Sequence, residues 1–361
     1  DNAVIRRRLA ERLGANGEDA YSLLSVIGRD CAGALQFLPE GEAPIVPGAP
    51  GGEPLTDAAI GDIIANLATA PLGLEEGRDF RISLAGAQEK TALLRKEGQW
   101  LRPQGASPTT HILKPQIGRT DGGVDLSQSV ENEYLCLKLT RALGAPSADV
   151  EIKDFAGRRV LVVERFDRHW TEGGRLLRIP QEDFCQALGE PPSRRYQSSG
   201  GPGPAAILRL LQGSDTPLDD QLTFLRTLVI FWLLGATDGH AKNFSLHLSP
   251  AGRYRLAPLY DVISLQPSVD AKQIRHNRYK LSMAVGAARH YVMGDIAPRH
   301  FIETATAGGI GEAPARAMLK ALADDAPAAL EAVVAGLPKG FPEAVVESIV
   351  GGAASRLEII R

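Results

Sequence analysis

The sequence is poor in cysteine, in net charge and in long apolar segments. Its 361 residues include three cysteines, Cys31, Cys136 and Cys185, which are too few and too scattered for a disulfide framework or a zinc site. The 40 Lys and Arg residues against 43 Asp and Glu residues leave a net charge of −3, which provides no basic field for wrapping nucleic acid. The longest apolar run, 228–234, is far shorter than the ~20 residues of a membrane-spanning helix. No signal-peptide pattern opens the sequence, so these features predict a cytoplasmic protein without a membrane segment.

The residues that are present have an ordinary globular composition, with 44% hydrophobic and 23% charged residues. Short β-branched or alternating runs between residues 79 and 166 predict strands, interrupted by one helix over 126–143 that ends before Gly144. An earlier helix is predicted over 57–67, with Thr56 as its N-cap. Beyond Trp170 the pattern is helical, with a buried central helix over 218–234 and three or four helices after residue 298. We therefore expect an α+β fold with an N-terminal lobe over 1–167 and an α-helical lobe over 168–361.

The segment 236–246, ATDGHAKNFSL, contains the most informative pair of polar residues. Asp238 and Asn243 are five residues apart in a glycine-containing loop that follows the predicted central helix. Protein kinases use Asp and Asn at this spacing, the Asp to accept or orient the proton of the acceptor hydroxyl and the Asn to bind Mg²⁺. For an isolated pair at this spacing, a polar turn is the more common explanation. A second acid, Asp261 in PLYDVISL, follows a strand-like run and favours the kinase interpretation, because a kinase needs such a carboxylate on its metal.

Two upstream features match a nucleotide site less specifically. The segment 82–94, ISLAGAQEKTALL, has small residues at Ala85, Gly86 and Ala87, which allow backbone amides to approach phosphate oxygens. Lys114, in the strand-like THILKPQ, precedes the only helix of its lobe, as an ATP-binding lysine does. Glu133 on that helix is its predicted ion-pair partner, with Glu131 as the alternative. A hairpin turn and an edge-strand lysine remain the plain alternatives for these features.

Nine segments, taken in order, resemble those of the HipA family: SLAGAQEKTALL, THILKPQIG, DLSQSVENEY, VVERFDRHW, PQEDFCQ, GGPG, ATDGHAKNFS, PLYDVIS and PRHF. Members of this family are serine/threonine kinase toxins of bacterial toxin–antitoxin systems. The resemblance implies a two-lobed, protein-kinase-like α+β fold, with a β-rich N-lobe that has one main helix and a mostly α-helical C-lobe. It also implies ATP and Mg²⁺ as cofactors.

The resemblance assigns roles to individual residues. Asp238 is similar to the catalytic base, Asn243 and Asp261 to the Mg²⁺ ligands, and Lys114 to the lysine on the ATP phosphates. The expected ATP contacts comprise a phosphate loop over 83–90, an adenine hinge over 164–167 and residues of the later segments: Ala85, Gly86, Ala87, Gln88, Glu89, Lys90, Glu164, Arg165, Phe166, His240, Ala241, Lys242 and Tyr260. Ser83 resembles the serine whose autophosphorylation moves the phosphate loop and inactivates the kinase.

The resemblance further implies partners. Family members phosphorylate an aminoacyl-tRNA synthetase, often glutamyl-tRNA synthetase, which halts translation and produces drug-tolerant persister cells. A HipB-like helix-turn-helix antitoxin binds the kinase, and the complex represses its own operon. The segment 305–309 has no basic residue, so we expect operator DNA to be bound mainly through the antitoxin. Members usually have a further N-terminal β-rich segment, and the sequence is expected to begin after it.

Two other functions are compatible with the same residues. The Asp, Asn and Asp set does not choose the acceptor, so a small-molecule or lipid-type kinase is one alternative. A non-catalytic corepressor subunit, which binds antitoxin and DNA without phosphoryl transfer, is the other. The complete set of Asp238, Asn243, Asp261 and Lys114 favours an active kinase.

Overall fold

A computed structural model describes residues 6–7, 10–11, 13–28, 35–43, 50–67, 88–104, 107–120 and 122–361 of the chain. The chain divides into two compact units, each built from two separate stretches. Unit 1 comprises Asp1–Pro115 and Glu151–Pro180, and unit 2 comprises Gln116–Val150 and Gln181–Arg361. Among the described residues, no helix has both the length and the apolar character that crossing a membrane requires.

Unit 1 is built on a six-stranded sheet with the strand order β1-β3-β2-β4-β8-β7. Its strands are β1 (Gly52–Pro54), β2 (Thr91–Lys96), β3 (Gln99–Pro103), β4 (His111–Pro115), β7 (Val150–Phe155) and β8 (Arg158–Glu164). Strand β4 pairs antiparallel with both β2 and β8, so it is an inner strand of the sheet. An antiparallel hairpin follows, formed by β9 (Arg168–Trp170) and β10 (Leu176–Arg178).

Two short helices of unit 1 begin at side-chain caps. Helix α1 (Ala20–Ile27) begins after Asp19, whose carboxylate accepts from the Ser22 N–H. Helix α2 (Asp57–Ala65) begins after Thr56, whose hydroxyl accepts from the Ala59 N–H at 3.2 Å, so the predicted cap is confirmed. The α2 residues Ile60 and Ile64 pack on the sheet in a core whose other members are Leu93, Trp100, Leu113, Phe155, Val160 and Val162.

Unit 2 is mainly helical. Its helices are α3 (Ser129–Ala142), α4 (Phe184–Ala187), α5 (Pro204–Leu211), α6 (Pro217–Leu234), α7 (Gln266–Asp270), α8 (Pro298–Ala307), α9 (Glu312–Ala335) and α10 (Glu343–Ile360). Its strands are β5 (Gly118–Arg119), β6 (Asp125–Leu126), β11 (Gln181–Asp183), β12 (Ser245–Ser249), β13 (Arg253–Leu256), β14 (Lys280–Val285) and β15 (His290–Val292). Helix α6 is buried along most of its length and packs against α3, α5, α8, α9 and α10. The predicted central helix is therefore confirmed, and its apolar faces are explained by neighbours on several sides.

The boundaries of the two units differ from the expected single boundary after residue 167. Helix α3 belongs to unit 2 because it packs against α6, α9 and α10, whereas residues 168–180 belong to unit 1. Helix α3 also begins at Ser129, three residues later than predicted, and β8 ends at Glu164 rather than at Phe166. A sequence pattern cannot reveal which helices share a core when they are far apart in the chain.

Candidate active site

The loop that carries Asp238 is positioned by the end of helix α6. Gly235 ends the helix in the left-handed conformation, with φ of +69°, and a Cβ at this position would lie 1.8 Å from the Tyr279 hydroxyl. The next turn is fixed by Ser282, whose N–H and hydroxyl both donate to the Thr237 carbonyl, at 2.9 and 2.8 Å. Gly235 and Ser282 of strand β14 thus determine where the chain leaves the core before Asp238.

Asp238 and Asn243 lie together, as their spacing predicts. The Asn243 side-chain amide donates to the Asp238 carbonyl at 2.8 Å, and the His240 N–H donates to the same carbonyl at 2.8 Å. Residues Ala241–Asn243 form a short 3₁₀ turn that closes the loop. Because the side-chain nitrogen of Asn243 already donates a hydrogen bond to the Asp238 carbonyl, its side-chain oxygen is the atom that is suited to bind a cation.

Asp261 is held in a conformation that few residues other than glycine adopt. Its φ is +60°, a region in which Asp is tolerated better than most residues. The chain before it is anchored, because the Leu259 carbonyl accepts from the Ala148 N–H and the Leu259 N–H donates to the Pro146 carbonyl, each at 2.8 Å. Strained backbone of this kind is concentrated at functional sites.

The electrostatics of the site reflect two neighbouring carboxylates. The Asp238 side chain has solvent-exposed surface, yet protein atoms surround much of its carboxylate. This desolvation raises its pKa, and the negative charge of Asp261 raises it further. The hydrogen bond from Tyr196 acts in the opposite direction but does not cancel the effect. Burial lowers the pKa of His240, so this ring favours the neutral form.

The donor groups fit a magnesium ion. Mg²⁺ prefers carboxylate and carbonyl oxygens, and Asn243 and Asp261 provide one amide oxygen and one carboxylate in a region where negative charge accumulates. Among the described residues, no group of three or more His, Cys, Asp or Glu side chains is arranged to hold a metal ion. A cation at this position would therefore depend on these two side chains together with oxygens from a ligand.

The remaining predicted residues of this loop have identifiable partners. The Lys242 ammonium forms an ion pair with Asp183 at 2.6 Å, and both side chains are largely buried. The Tyr260 hydroxyl lies 2.5 Å from the Ser245 hydroxyl and donates to the Lys242 carbonyl at 3.1 Å. Ala241 is buried in the turn, and the buried His240 Nδ1 has no hydrogen-bond partner within the described part of the chain. An unpaired buried nitrogen at this point is compatible with a ligand contact.

The predicted ATP-site residues of unit 1 are only partly described. Ser83, Ala85, Gly86 and Ala87 lie outside the described residues. Gln88 is half-buried, Glu89 is exposed, and Lys90 is buried directly before β2. Lys114 is buried on the inner strand β4 and pairs in register with Leu161 of β8. Its position corrects the alternative of an edge-strand lysine, while its ion pair with Glu133 stays a prediction.

The expected hinge residues include a buried ion pair. Arg165 donates to Asp167 from two guanidinium nitrogens, at 2.9 and 2.7 Å, and a third nitrogen donates to the Thr109 hydroxyl at 3.1 Å. Its backbone N–H donates to the Thr110 carbonyl at 2.9 Å. Glu164 is exposed at the end of β8, and Phe166 is half-buried. The Arg165 side chain thus has a structural role, and the predicted adenine contact involves only the backbone.

Two residues beside Asp238 and Lys242 were not singled out from the sequence. Tyr196 donates its hydroxyl to the Asp238 carboxylate at 3.0 Å, and Asp183 pairs with Lys242. Asp183 also caps helix α4, because its carboxylate accepts from the Gln186 N–H at 2.9 Å. Asp183 lies in the PQEDFCQ segment, and Tyr196 lies shortly before GGPG. Their closeness to these two motifs is the sequence signal that could have identified them.

Comparison with known families supports the resemblance. Residues 82–330 match the model of the HipA-like C-terminal domain, and residues 1–38 match that of the HipA N-terminal domain. The second match corrects the expectation that the sequence begins after the family's N-terminal segment.

A protein of Sinorhizobium fredii named "Putative kinase Y4mE" is 41% identical over 259 residues, which cover 71% of this chain and 60% of that protein. The serine/threonine-protein kinase toxin HipA of Shewanella oneidensis is 29% identical over 289 residues, covering 77% of this chain and 62% of the toxin. The chain thus spans about three fifths of the length of these relatives.

Solved structures confirm the predicted α+β, kinase-like fold. The complex of Shewanella oneidensis HipA with HipB and operator DNA matches with a TM-score of 0.77 and 25% identity, covering 98% of this chain and 81% of the matched one. The Helicobacter pylori proinflammatory kinase CtkA matches in fold with a TM-score of 0.50 and 13% identity, covering 77% of this chain and 90% of CtkA. Because a family model covers most of its residues and its fold agrees, the chain belongs to the HipA family.

Proposed function

We propose that the protein is a Mg²⁺- and ATP-dependent serine/threonine protein kinase of the HipA type. The observation that carries this proposal is the arrangement of Asp238, Asn243 and Asp261. Asn243 is hydrogen-bonded to the Asp238 backbone, and the charge of Asp261 is close enough to raise the pKa of Asp238. Phosphoryl transfer depends mainly on positioning and charge stabilisation, which these three groups are suited to provide.

Each of the three side chains has a separate role in this proposal. The Asp238 carboxylate orients the acceptor hydroxyl and accepts its proton, and its exposed surface allows a protein substrate to reach it. The oxygens of Asn243 and Asp261 hold Mg²⁺. Bound Mg·ATP supplies the transferable γ-phosphoryl group.

In the proposal, the nucleotide is bound by the residues that the resemblance assigns to ATP. Lys114, the phosphate loop over 83–90 and the backbone of the 164–167 hinge contact ATP, together with His240, Ala241, Lys242 and Tyr260. The buried His240 Nδ1, which has no partner among the described residues, supports a contact at this position. The ion pair of Lys242 with Asp183 supports a backbone contact or an indirect role for Lys242.

The proposal extends to the biological role of the family. The protein acts in the cytoplasm as the toxin of a toxin–antitoxin system, phosphorylates an aminoacyl-tRNA synthetase such as glutamyl-tRNA synthetase, and is inactivated by autophosphorylation at Ser83. By blocking translation it induces persistence. A HipB-like antitoxin neutralises it and contributes most of the contacts with operator DNA. The similarity to the HipA toxin and to the HipA–HipB–DNA complex of Shewanella oneidensis supports this role.

The test is transfer of ³²P from γ-labelled ATP to a panel of purified aminoacyl-tRNA synthetases, followed by mapping of the labelled residues. We expect the wild-type protein to label one synthetase and its own Ser83. Asp238→Asn removes the base and should reduce transfer by at least about 100-fold, with ATP binding largely retained. Asp324→Asn, an exposed residue of helix α9, is the matched control and should transfer like the wild type.

The outcomes separate the proposal from its alternatives. Undiminished transfer by Asp238→Asn would show that Asp238 is not the base. Labelling of lipids or metabolites in place of proteins would favour a small-molecule kinase. A wild-type protein that binds ATP but labels nothing would favour a non-catalytic corepressor.

A further inference from the structure

A tyrosine from a different segment of unit 2 contacts the side chain of the proposed base. Tyr196 lies between two short 3₁₀ turns, Pro192–Arg194 and Gln197–Ser199, and its hydroxyl donates to Asp238 Oδ1 at 3.0 Å. We propose that Tyr196 is a positioning residue, which holds the Asp238 carboxylate in the orientation required for phosphoryl transfer. This role rests on the proposed kinase function.

The Tyr196 ring is itself fixed by its neighbours. It meets the His240 ring edge to face, with centroids 5.0 Å apart and an interplanar angle of 81°. The Arg195 guanidinium lies 5.0 Å from the centre of the Tyr196 ring. With the ring held on two sides, its hydroxyl is directed at one oxygen of Asp238.

The segment around Tyr196 is attached to the Asp238 loop and to strand β14. The Ala241 N–H donates to the Arg195 carbonyl at 3.2 Å, which joins the segment to the 3₁₀ turn that contains Asn243. The Ala284 N–H donates to the Gln197 side chain at 2.7 Å, which joins it to β14. The Gly201 N–H donates to the Tyr196 carbonyl at 3.0 Å. The tyrosine therefore belongs to a built structure and not to a loose loop.

The consequence for catalysis follows from the symmetry of a carboxylate. A carboxylate with no hydrogen bond rotates easily about its last side-chain bond, because that torsion is broad. A donor on Oδ1 restricts the rotation and leaves Oδ2 for the acceptor hydroxyl. Hydrogen bonds to charged groups are among the stronger ones, and small errors in the orientation of a catalytic group have large effects on rate.

The test is the variant Tyr196→Phe, which removes the hydroxyl and keeps the ring with its contacts to His240 and Arg195. Its control is Tyr254→Phe, because the Tyr254 hydroxyl donates to the Leu210 carbonyl at 2.6 Å, away from Asp238. Steady-state and single-turnover ³²P transfer from ATP are measured with the synthetase panel present. We expect Tyr196→Phe to lower kcat and the single-turnover rate by about tenfold or more, with KM for ATP and the urea midpoint within error of the wild type. Tyr254→Phe should leave kcat unchanged.

Two results would overturn the positioning role. One is a Tyr196→Phe variant with wild-type kcat. The other is a joint change of kcat, KM for ATP and the urea midpoint, which indicates that the tyrosine only supports the fold. A second variant, Tyr196→Leu, removes the ring as well, and a kcat above that of Tyr196→Phe would also contradict the proposal. Absence of transfer by the wild-type protein would instead overturn the proposed function, and the positioning role with it.

Discussion

At the scale of single residues, the charge of a histidine is determined by its surroundings. His111, on the inner strand β4, has its Nδ1 2.8 Å from the Thr110 hydroxyl and its ring against Trp100, with centroids 5.2 Å apart. Burial lowers the pKa of His111 to about 4, and the positive charges of Arg95 and Lys153 lower it further. The folded protein therefore holds a neutral imidazole at pH values where an unfolded chain binds a proton.

This difference makes the stability of the protein depend on pH. The lowered pKa means that the unfolded state binds more protons between pH 6.5 and about 4, so stability is lost as the pH falls through this range. From pH 7 to pH 5 we expect the contribution of His111 to the free energy of unfolding to fall by about 1–2 kcal/mol. Urea denaturation of the wild type and of His111→Gln at both pH values measures it.

The control for this prediction is His169→Gln, since His169 is exposed on β9. Its loss of stability between pH 7 and pH 5 should equal that of the wild type, whereas His111→Gln should lose less. Equal losses in all three proteins would contradict the prediction.

A glycine beside Tyr196 tests how closely the chain packs there. A Cβ at position 201 would lie 1.7 Å from the Arg194 carbonyl oxygen, so Gly201→Ala must displace the backbone that holds Tyr196. We expect a loss of roughly 2 kcal/mol or more in the free energy of unfolding, together with slower ³²P transfer.

The matched control is Gly351→Ala in helix α10, where a Cβ meets no atom within 4 Å. Because alanine favours a helix over glycine, this variant should gain up to about 1 kcal/mol. A Gly201→Ala protein as stable and as active as the wild type would show that the segment has room to adjust.

At the scale of elements, the connection from β8 to β9 depends on a buried group of charges. Asp167 pairs with Arg165 at 2.7 Å and with Arg168 at 2.8 Å, and the three side chains are only 3–5% exposed. Burial alone would raise the pKa of Asp167, but the hydrogen bonds and charges of the two arginines outweigh it and lower the pKa below its usual value. The ionised Asp167 carboxylate therefore stabilises the folded protein fully at pH values above the usual aspartate pKa. This stabilisation is lost as the pH falls through the lowered pKa of the folded state.

Asp167→Asn should be strongly destabilising, because it removes the carboxylate charge that pairs with two buried arginines. We expect a loss of about 3–5 kcal/mol in the free energy of unfolding at pH 7, measured by urea denaturation. Asp154→Asn, at an exposed ion pair with Arg159, is the control and should change stability by less than about 1 kcal/mol. Similar losses in the two variants would show that burial of the pair is unimportant.

Elements with local signals were predicted well, and their partners were not. Helix α2 begins after its N-cap Thr56 and helix α6 ends before Gly235. Such signals depend on a few neighbouring residues, so the sequence pattern predicts the ends of both helices to within about two residues. Helix α3 was predicted as the helix of the N-terminal lobe, yet its core is shared with α6, α9 and α10. Amphipathic periodicity shows that a helix has a buried face but does not show what covers that face.

At the scale of the whole molecule, ligand binding should stabilise the folded state by mass action. At free Mg·ATP about 100 times its Kd, the expected gain is roughly 2.7 kcal/mol. The difference in Tm between thermal unfolding with ATP and Mg²⁺ and thermal unfolding with ATP and EDTA measures the metal-dependent stabilisation. Asp261→Asn should lose most of this increase in Tm.

The exposed Asp324→Asn variant should retain the full metal-dependent increase in Tm. An undiminished increase in Asp261→Asn would exclude Asp261 as a metal ligand. Because the measurement follows unfolding and not catalysis, it tests metal binding whether or not the protein transfers phosphate.

The sequence by itself determined the α+β class, the family and the pairing of Asp238 with Asn243, because motif order and a five-residue spacing are properties of the linear chain. Only the tertiary structure decided that Tyr196 reaches Asp238 from 42 residues away, that Lys242 is paired with Asp183 across 59 residues, and that Lys114 is on an inner strand. The physical reason is that backbone propensity and hydrophobic period act over a few residues, whereas these contacts arise when separate elements pack on a shared core.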